Sequence, residues 1–196
     1  IEEDVEEKNK YYLDIIKRNT NRVINIVGDL LILSRLEEKN SCLEFEEVNL
    51  NDLVENVLKI FSQRLKEKNI GLRFKTDDNL SPIVADPFKL EQVFINLIDN
   101  AIKYTEKGEI QISLSQNDNS TIFKIADTGI GIPKEHLSRI FERFYVVDPS
   151  RSRKLGGTGL GLSIVKHIVL LHNGKIEGKN IPGNGTVFII TLPVTK

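Results

Sequence analysis

Gln92, Asn96, Asn100 and Lys103 follow one another at steps of four, four and three, beside an apolar run. On a helix, residues so spaced form a single row. Carboxamides ending in a lysine have a definite chemical use. An Asn oxygen ligates a hard cation such as magnesium without repelling phosphate oxygens, and Lys103 supplies those oxygens with a point charge. Taken alone, the row also reads as a solvated helix face with asparagines on it by chance. Asn is a poor helix former because its side chain competes for backbone hydrogen bonds, so two on one face ask for a reason.

Two glycine-rich segments follow. In Asp127-Thr128-Gly129-Ile130-Gly131-Ile132-Pro133, a carboxylate closes a strand and can accept a hydrogen bond from an exocyclic amine such as that of adenine. Gly129 and Gly131 let backbone approach a flat ligand. By itself the segment is also a common turn. In Gly156-Gly157-Thr158-Gly159-Leu160-Gly161-Leu162, glycines precede an apolar helix, whose free N–H groups and positive dipole end suit an anion. The spacing matches neither the lysine-bearing phosphate loop nor the dinucleotide fingerprint. Arg151, Arg153 and Lys154 lie just upstream, as a cationic lid closing on phosphates or as an ordinary solvated loop.

The elements that must carry these residues are legible in outline. Asp86-Pro87 is an oxygen cap followed by proline at a first helical turn. Behind it Leu90, Val93, Phe94, Leu97, Ile98, Ala101 and Ile102 form a buried stripe at three- and four-residue steps. Alternation predicts strands at 43–48, 70–75, 83–85, 109–115, 120–126, 174–178 and 185–192. Helices are predicted from a cap at Asn51 to about Lys68, and over 160–172. Strands and helices mix without βαβ alternation, so the fold class is α+β, a sandwich with helices on one sheet face. Residues 1 to about 40 read as one long helix, with Tyr12, Ile16, Val23, Ile26, Val27, Leu30 and Leu33 at helical spacing. Leu30 to Leu36 cover more than one face. Such a surface requires a partner helix or chain, unless it packs on its own domain.

In this order the segments resemble the four sequence boxes of the histidine-kinase ATPase superfamily, the group with the Bergerat ATP-binding fold that includes gyrase B, Hsp90 and MutL. The boxes are Gln92-Val93-Phe94-Ile95-Asn96-Leu97-Ile98-Asp99-Asn100-Ala101-Ile102-Lys103-Tyr104-Thr105, the Asp127–Pro133 segment, Ile140-Phe141-Glu142-Arg143-Phe144-Tyr145, and Gly157 to Ser163. The phenylalanine box separates histidine kinases from the other members. The resemblance covers about residues 45–194 and implies a mixed, mostly antiparallel sheet packed on helices. It implies ATP and Mg2+ as cofactors, with Asn100 as the magnesium ligand. Asn96 stands where ATP-hydrolysing relatives carry a general-base Glu, and a carboxamide cannot activate water. By the same resemblance Asn96 and Lys103 are the catalytic candidates, and Lys103 contacts phosphate. Tyr104 stacks on adenine, Asp127 holds the adenine amine with support from Thr186, and Gly157, Thr158, Gly159, Leu160, Gly161 and Leu162 wrap the phosphates. Phe141 and Phe144 position the lid that carries Arg151 and Lys154.

The stretch from Ile24 to Leu36 resembles the second helix of the dimerisation and phosphotransfer hairpin of the same kinases. The resemblance therefore divides the chain into a partial hairpin, 1–40, and a catalytic and ATP-binding domain, 45–196. It implies a homodimer through the N-terminal helix and a response-regulator receiver domain as partner. The first hairpin helix, with its His-Glu-x-x-x-Pro acceptor, is not in the sequence, and His136, His167 and His172 stand in other contexts. The expected activity is transfer of the γ-phosphoryl of Mg-ATP to a histidine, then relay to an aspartate. The alternatives are a non-catalytic ATP-binding module and a serine kinase of the anti-sigma type.

Composition sets outer bounds. The chain has 196 residues, 40% hydrophobic and 28% charged, with a net charge of −1. No global field points to nucleic acid or to a membrane surface. The single cysteine, Cys42, excludes an internal disulfide and argues against a zinc site. A cytoplasmic location is expected, with any membrane anchor upstream. A chain beginning at Ile1 and lacking Met is expected to be part of a longer one.

Overall fold

The computed structural model describes residues 2–38, 43–77, 80–181 and 185–194; Cys42 lies outside them. In chain order the elements are α1 (Glu2–Glu37), β1 (Glu46–Val48), α2 (Leu50–Glu67), β2 (Ile70–Thr76), β3 (Ile83–Ala85) and α3 (Pro87–Tyr104). Then come β4 (Gly108–Gln116), β5 (Ser120–Asp127), a 3-10 turn (Lys134–His136), α4 (Pro149–Lys154), α5 (Gly161–Leu171), β6 (Lys175–Asn180) and β7 (Thr186–Pro193). The strand order of the main sheet is β2-β4-β5-β7-β6. Among the described residues only β2 and β4 pair in parallel. β1 and β3 form a separate antiparallel pair. The α+β sandwich with a mostly antiparallel sheet is the observed architecture.

Period-two burial builds its core. Ile110, Ile112 and Leu114 of β4, Thr121, Phe123 and Ile125 of β5, and Phe188, Ile190 and Leu192 of β7 all face the helices. The whole predicted α3 stripe is buried, and Phe94 meets Phe123 with ring centroids 4.6 Å apart. This parity has a chemical consequence. Asp127 follows Phe123 and Ile125 by even steps, so the pleat carries its carboxylate to the helix-facing side. Thr186 opens β7 on that side as well, and is also buried.

The capping differs in one place from expectation. Asn49, not Asn51, caps α2, its side-chain oxygen accepting from the N–H groups of Asn51 at 3.0 Å and Asp52 at 3.3 Å. Both residues carry the same acceptor, and the spacing of the apolar face leaves the start ambiguous by two positions. Asp86 caps α3 as predicted, accepting from Lys89 N–H at 3.0 Å. The strand predicted over 43–48 shortens to β1, and a short helix, α4, forms where only a loop was foreseen.

His172 ties the end of α5 to the start of α3. Its Nε2 accepts from the Asp86 N–H at 3.0 Å and its Nδ1 donates to the Ile168 carbonyl at 2.8 Å. Both nitrogens are therefore satisfied by a neutral imidazole.

α1 answers the question of its surplus apolar surface in two parts. Leu33 and Leu36 are 2% and 3% exposed, packed on the chain's own domain against α5. His167 Nε2 lies 3.0 Å from the Leu36 carbonyl, and Glu37 pairs with Arg143. Leu33, read with the partner-seeking face, thus belongs to the internal contact. Tyr12, Ile16, Val23, Ile24 and Leu31 remain more than half exposed. Among the described residues no helix is long and apolar enough to cross a membrane.

Burial depresses the His172 imidazole below its ordinary value of 6.5, against an opposing pull from the Ile168 bond and Asp86. The unfolded chain therefore takes up the proton first, so stability is full above about pH 6.5 and is lost as pH falls towards the folded value. Melting temperatures of wild type and His172→Gln between about pH 8 and 5 check this. The wild type should lose more on acidification than the variant.

Candidate functional site

α3 and α5 lie against each other on the sheet, with Asn96 of the polar row at the start of α5. Gln92, Asn96, Asn100 and Lys103 are all half-buried. Gly161 opens α5 directly against Asn96, and a Cβ there would stand 3.1 Å from the Asn96 Oδ1. No side chain caps α5 in the ordinary way. The Thr158 hydroxyl does accept from the Leu160 N–H at 3.2 Å. The remaining first-turn N–H groups and the dipole end of α5 thus adjoin the Asn96 carboxamide. Leu160 is fully buried, while Leu162 is half-buried.

Asp127 forms the other end of the site. Asp127 is 6% exposed, and its carboxylate accepts from the Gly129 N–H at 2.8 Å and from the backbone N–H of Thr186. Burial pushes its pKa up, and those two bonds pull it back. The sequence-predicted support from Thr186 is therefore a backbone contact. At Gly129 a Cβ would come within 2.9 Å of the Tyr104 carbonyl carbon, so only glycine lets this turn pass so close to the end of α3. Gly131 follows in the same turn, where Asn180 grips Ile132 from both sides: it accepts from the Ile132 N–H at 3.1 Å and donates to the Ile132 carbonyl.

α4, where the sequence predicts a lid, meets the end of α3. Tyr104 is hydrogen-bonded to Ser152 of α4, and burial raises its phenol pKa. Arg151 pairs with Glu106 at 2.7 Å, and the Gly157 N–H donates to the Ser152 carbonyl at 2.8 Å. The side chain of Lys154 lies outside the described residues. Phe141 packs edge-on against Phe188 at 6.4 Å. Phe144 has a left-handed backbone at φ 60°, and Gly159, at φ 75°, passes so near that a Cβ would lie 2.9 Å from the Phe144 Cα. The phenylalanine box and the second glycine loop therefore interlock through backbone.

Three contacts escaped the sequence. Asp99 takes Lys103 Nζ at 2.6 Å and Arg64 at 2.7 Å. The pair Asp99 and Lys103 has the four-residue spacing of a helical ion pair and was findable; the Arg64 arm and the Asn180 clamp need the tertiary fold.

The arrangement fits a nucleotide. A buried carboxylate beside a glycine turn suits a flat amine-bearing base, and a helix N-terminus with Lys103 suits phosphates. Among the described residues no three His, Cys, Asp or Glu side chains gather as a metal cluster.

Comparison with known proteins agrees with this geometry. Residues 85–196 match the family described as histidine kinase-, DNA gyrase B-, and HSP90-like ATPase. The chain belongs to this family. Within it the similarity runs to histidine kinases. Sensor protein kinase WalK of Staphylococcus haemolyticus is 38% identical over 186 residues, covering 93% of this chain and 30% of WalK. The chain thus spans under a third of that relative's length. The catalytic domain of histidine kinase ThkA, nucleotide-free, superposes with a TM-score of 0.69 at 37% identity, covering 78% of this chain and 99% of that domain. Full-length ShkA in complex with AMPPNP gives a TM-score of 0.82 at 28% identity, covering 95% of this chain and 39% of ShkA. Histidine kinase ThkA in complex with response regulator protein TrrA gives a TM-score of 0.78 at 34% identity, covering 94% of this chain and 51% of that one. The histidine-kinase catalytic fold is the one these strands and helices build.

Gly129→Ala should crowd the Tyr104 carbonyl and destabilise this catalytic domain by about 1–3 kcal/mol, the usual cost of overpacking. Urea unfolding of variant and wild type at equal protein concentration measures it.

Proposed function

We propose that this chain binds Mg-ATP between α3, α5 and the Asp127 turn, and uses it to phosphorylate a histidine on a separate acceptor helix. The similarity to a kinase solved with AMPPNP and to the ThkA catalytic domain supports nucleotide binding. Bound Mg-ATP would supply the phosphoryl group and the cation that neutralises its charge.

The chain's own residues divide the remaining work. Asp127 accepts from the adenine amine, fixed in orientation by Gly129 and Thr186, while Gly129 and Gly131 lie under the base and Tyr104 flanks it. Asn100 ligates magnesium. Lys103 exchanges its Asp99 partner for phosphate oxygens. The backbone from Gly157 to Leu162 cradles the phosphates, with Arg151 and Lys154 closing from the lid. Asn96 orients the phosphate end without acting as a base, since a carboxamide holds no exchangeable basic site near neutral pH, and water is left unactivated. Catalysis by such a site rests on positioning and charge stabilisation.

Residues 1–40 would be the second helix of a dimerisation hairpin and 45–196 the catalytic domain. The bare faces of Tyr12, Ile16, Val23 and Leu31 would then close a four-helix bundle across a homodimer. A response regulator is the onward partner, as the ThkA complex with TrrA suggests for this chain. Such a protein would work in the cytoplasm.

The buried, backbone-held carboxylate of Asp127 is the observation that carries this reading. Calorimetric titration of Mg-ATP into wild type and Asp127→Asn tests it. Losing a charge-assisted bond should weaken binding by about 1.5–3 kcal/mol, roughly ten- to a hundredfold. Equal affinities, or no binding to the wild type, would overturn the assignment.

A further inference from the structure

Asp29 lies in α1, outside every sequence box, yet its carboxylate reaches the second glycine loop. The Thr158 hydroxyl donates to Asp29 Oδ2 at 2.7 Å. The site is half-buried, and burial raises the pKa of Asp29 while the Thr158 bond and the charge of Lys103 pull it down. Lys103 is therefore within electrostatic reach of a carboxylate carried by α1. Of the groups that the proposed function directs to phosphate, Thr158 is bonded to this anion, and Lys103, ion-paired with Asp99, feels its charge.

The contact is part of a wider clasp. Below Asp29, Leu33 and Leu36 are buried against the domain, the Leu36 carbonyl faces His167 of α5, and Glu37 pairs with Arg143. Arg143 and Thr158 stand on either side of the lid segment that contains α4. The end of α1 thus holds the chain both before and after the lid.

We propose that Asp29 competes with nucleotide phosphates, so that docking of the α1 end and occupation of the phosphate loop oppose each other. The inference rests on the nucleotide reading above. Its physical basis is simple: two anions brought together in a half-dry site repel strongly. They also contend for one hydroxyl donor and one ammonium. Linkage makes the effect reciprocal, since whatever factor docked α1 costs the nucleotide, the nucleotide costs docking. A rotation or shift of α1 would then alter nucleotide affinity with no change in the residues around the base.

The test uses the whole chain as wild type, Asp29→Asn and Asp29→Ala, with Mg-ATP affinity read by calorimetry and amide hydrogen exchange followed over residues 30–37. Both variants should bind about tenfold more tightly than wild type, within the range usual for coupled sites. Mg-ATP should speed exchange over 30–37 in the wild type. Asn keeps the acceptor for Thr158 and loses only the charge, so a gain in Asp29→Ala alone would overturn electrostatic competition. Unchanged or weaker binding in both variants, or slower exchange on adding Mg-ATP, would overturn it too. If the wild type binds no Mg-ATP, the nucleotide reading itself fails, and this inference falls with it.

Discussion

A carboxylate at the helix-facing end of a strand is costly to bury unless donors meet it. At Asp127 two backbone N–H groups do so, one from the turn that follows β5 and one from the start of β7. Meeting that demand forces the turn to fold back over the end of α3, where only glycine fits. The geometry of the site grows from this constraint. The same turn sets where a flat ligand can lie, and α3 carries the polar row on towards α5.

The second requirement is that α3 and α5 keep their relative placement. Phe94 against Phe123 anchors the middle of α3 to the sheet, and His172 joins the end of α5 to the cap of α3. With those fixed, the open end of α5 falls beside Asn96 rather than over the core. Lys103 waits on Asp99, itself shared with Arg64, so the lysine is held in place without being consumed in a deeply buried pair. Packing and electrostatics thus serve one arrangement: a buried carboxylate at one end and an open helix N-terminus at the other.

Much of this was legible in the residues because local rules agree with the global fold there. The α3 cap, its apolar stripe, the alternating strands and the glycine loops each carry a period or a turn chemistry that no neighbour overrides. What stayed hidden depended on distant partners. After Pro149 nothing up to Lys154 is apolar, so α4 left no helical periodicity to read. Asn49 and Asn51 offer the same cap acceptor, and the strand pairing upstream decided between them. The periodicity of α1 showed a surplus of apolar surface but not its division, with Leu33 and Leu36 turned inward and Ile16 and Val23 left bare. Asp29 and Asn180 look like ordinary polar residues until the fold places a partner more than forty positions away beside each.

The central claim is that this site readies a phosphoryl group for a histidine carried on another helix, and not for water or a hydroxyl. It is tested most directly by incubating the chain with γ-labelled ATP, magnesium and a separate helical hairpin bearing the His-Glu-x-x-x-Pro motif. The account predicts label on the hairpin that is lost in acid and retained in base. Acid-stable label on the hairpin, or label released only as free phosphate at the same rate without it, would contradict the account.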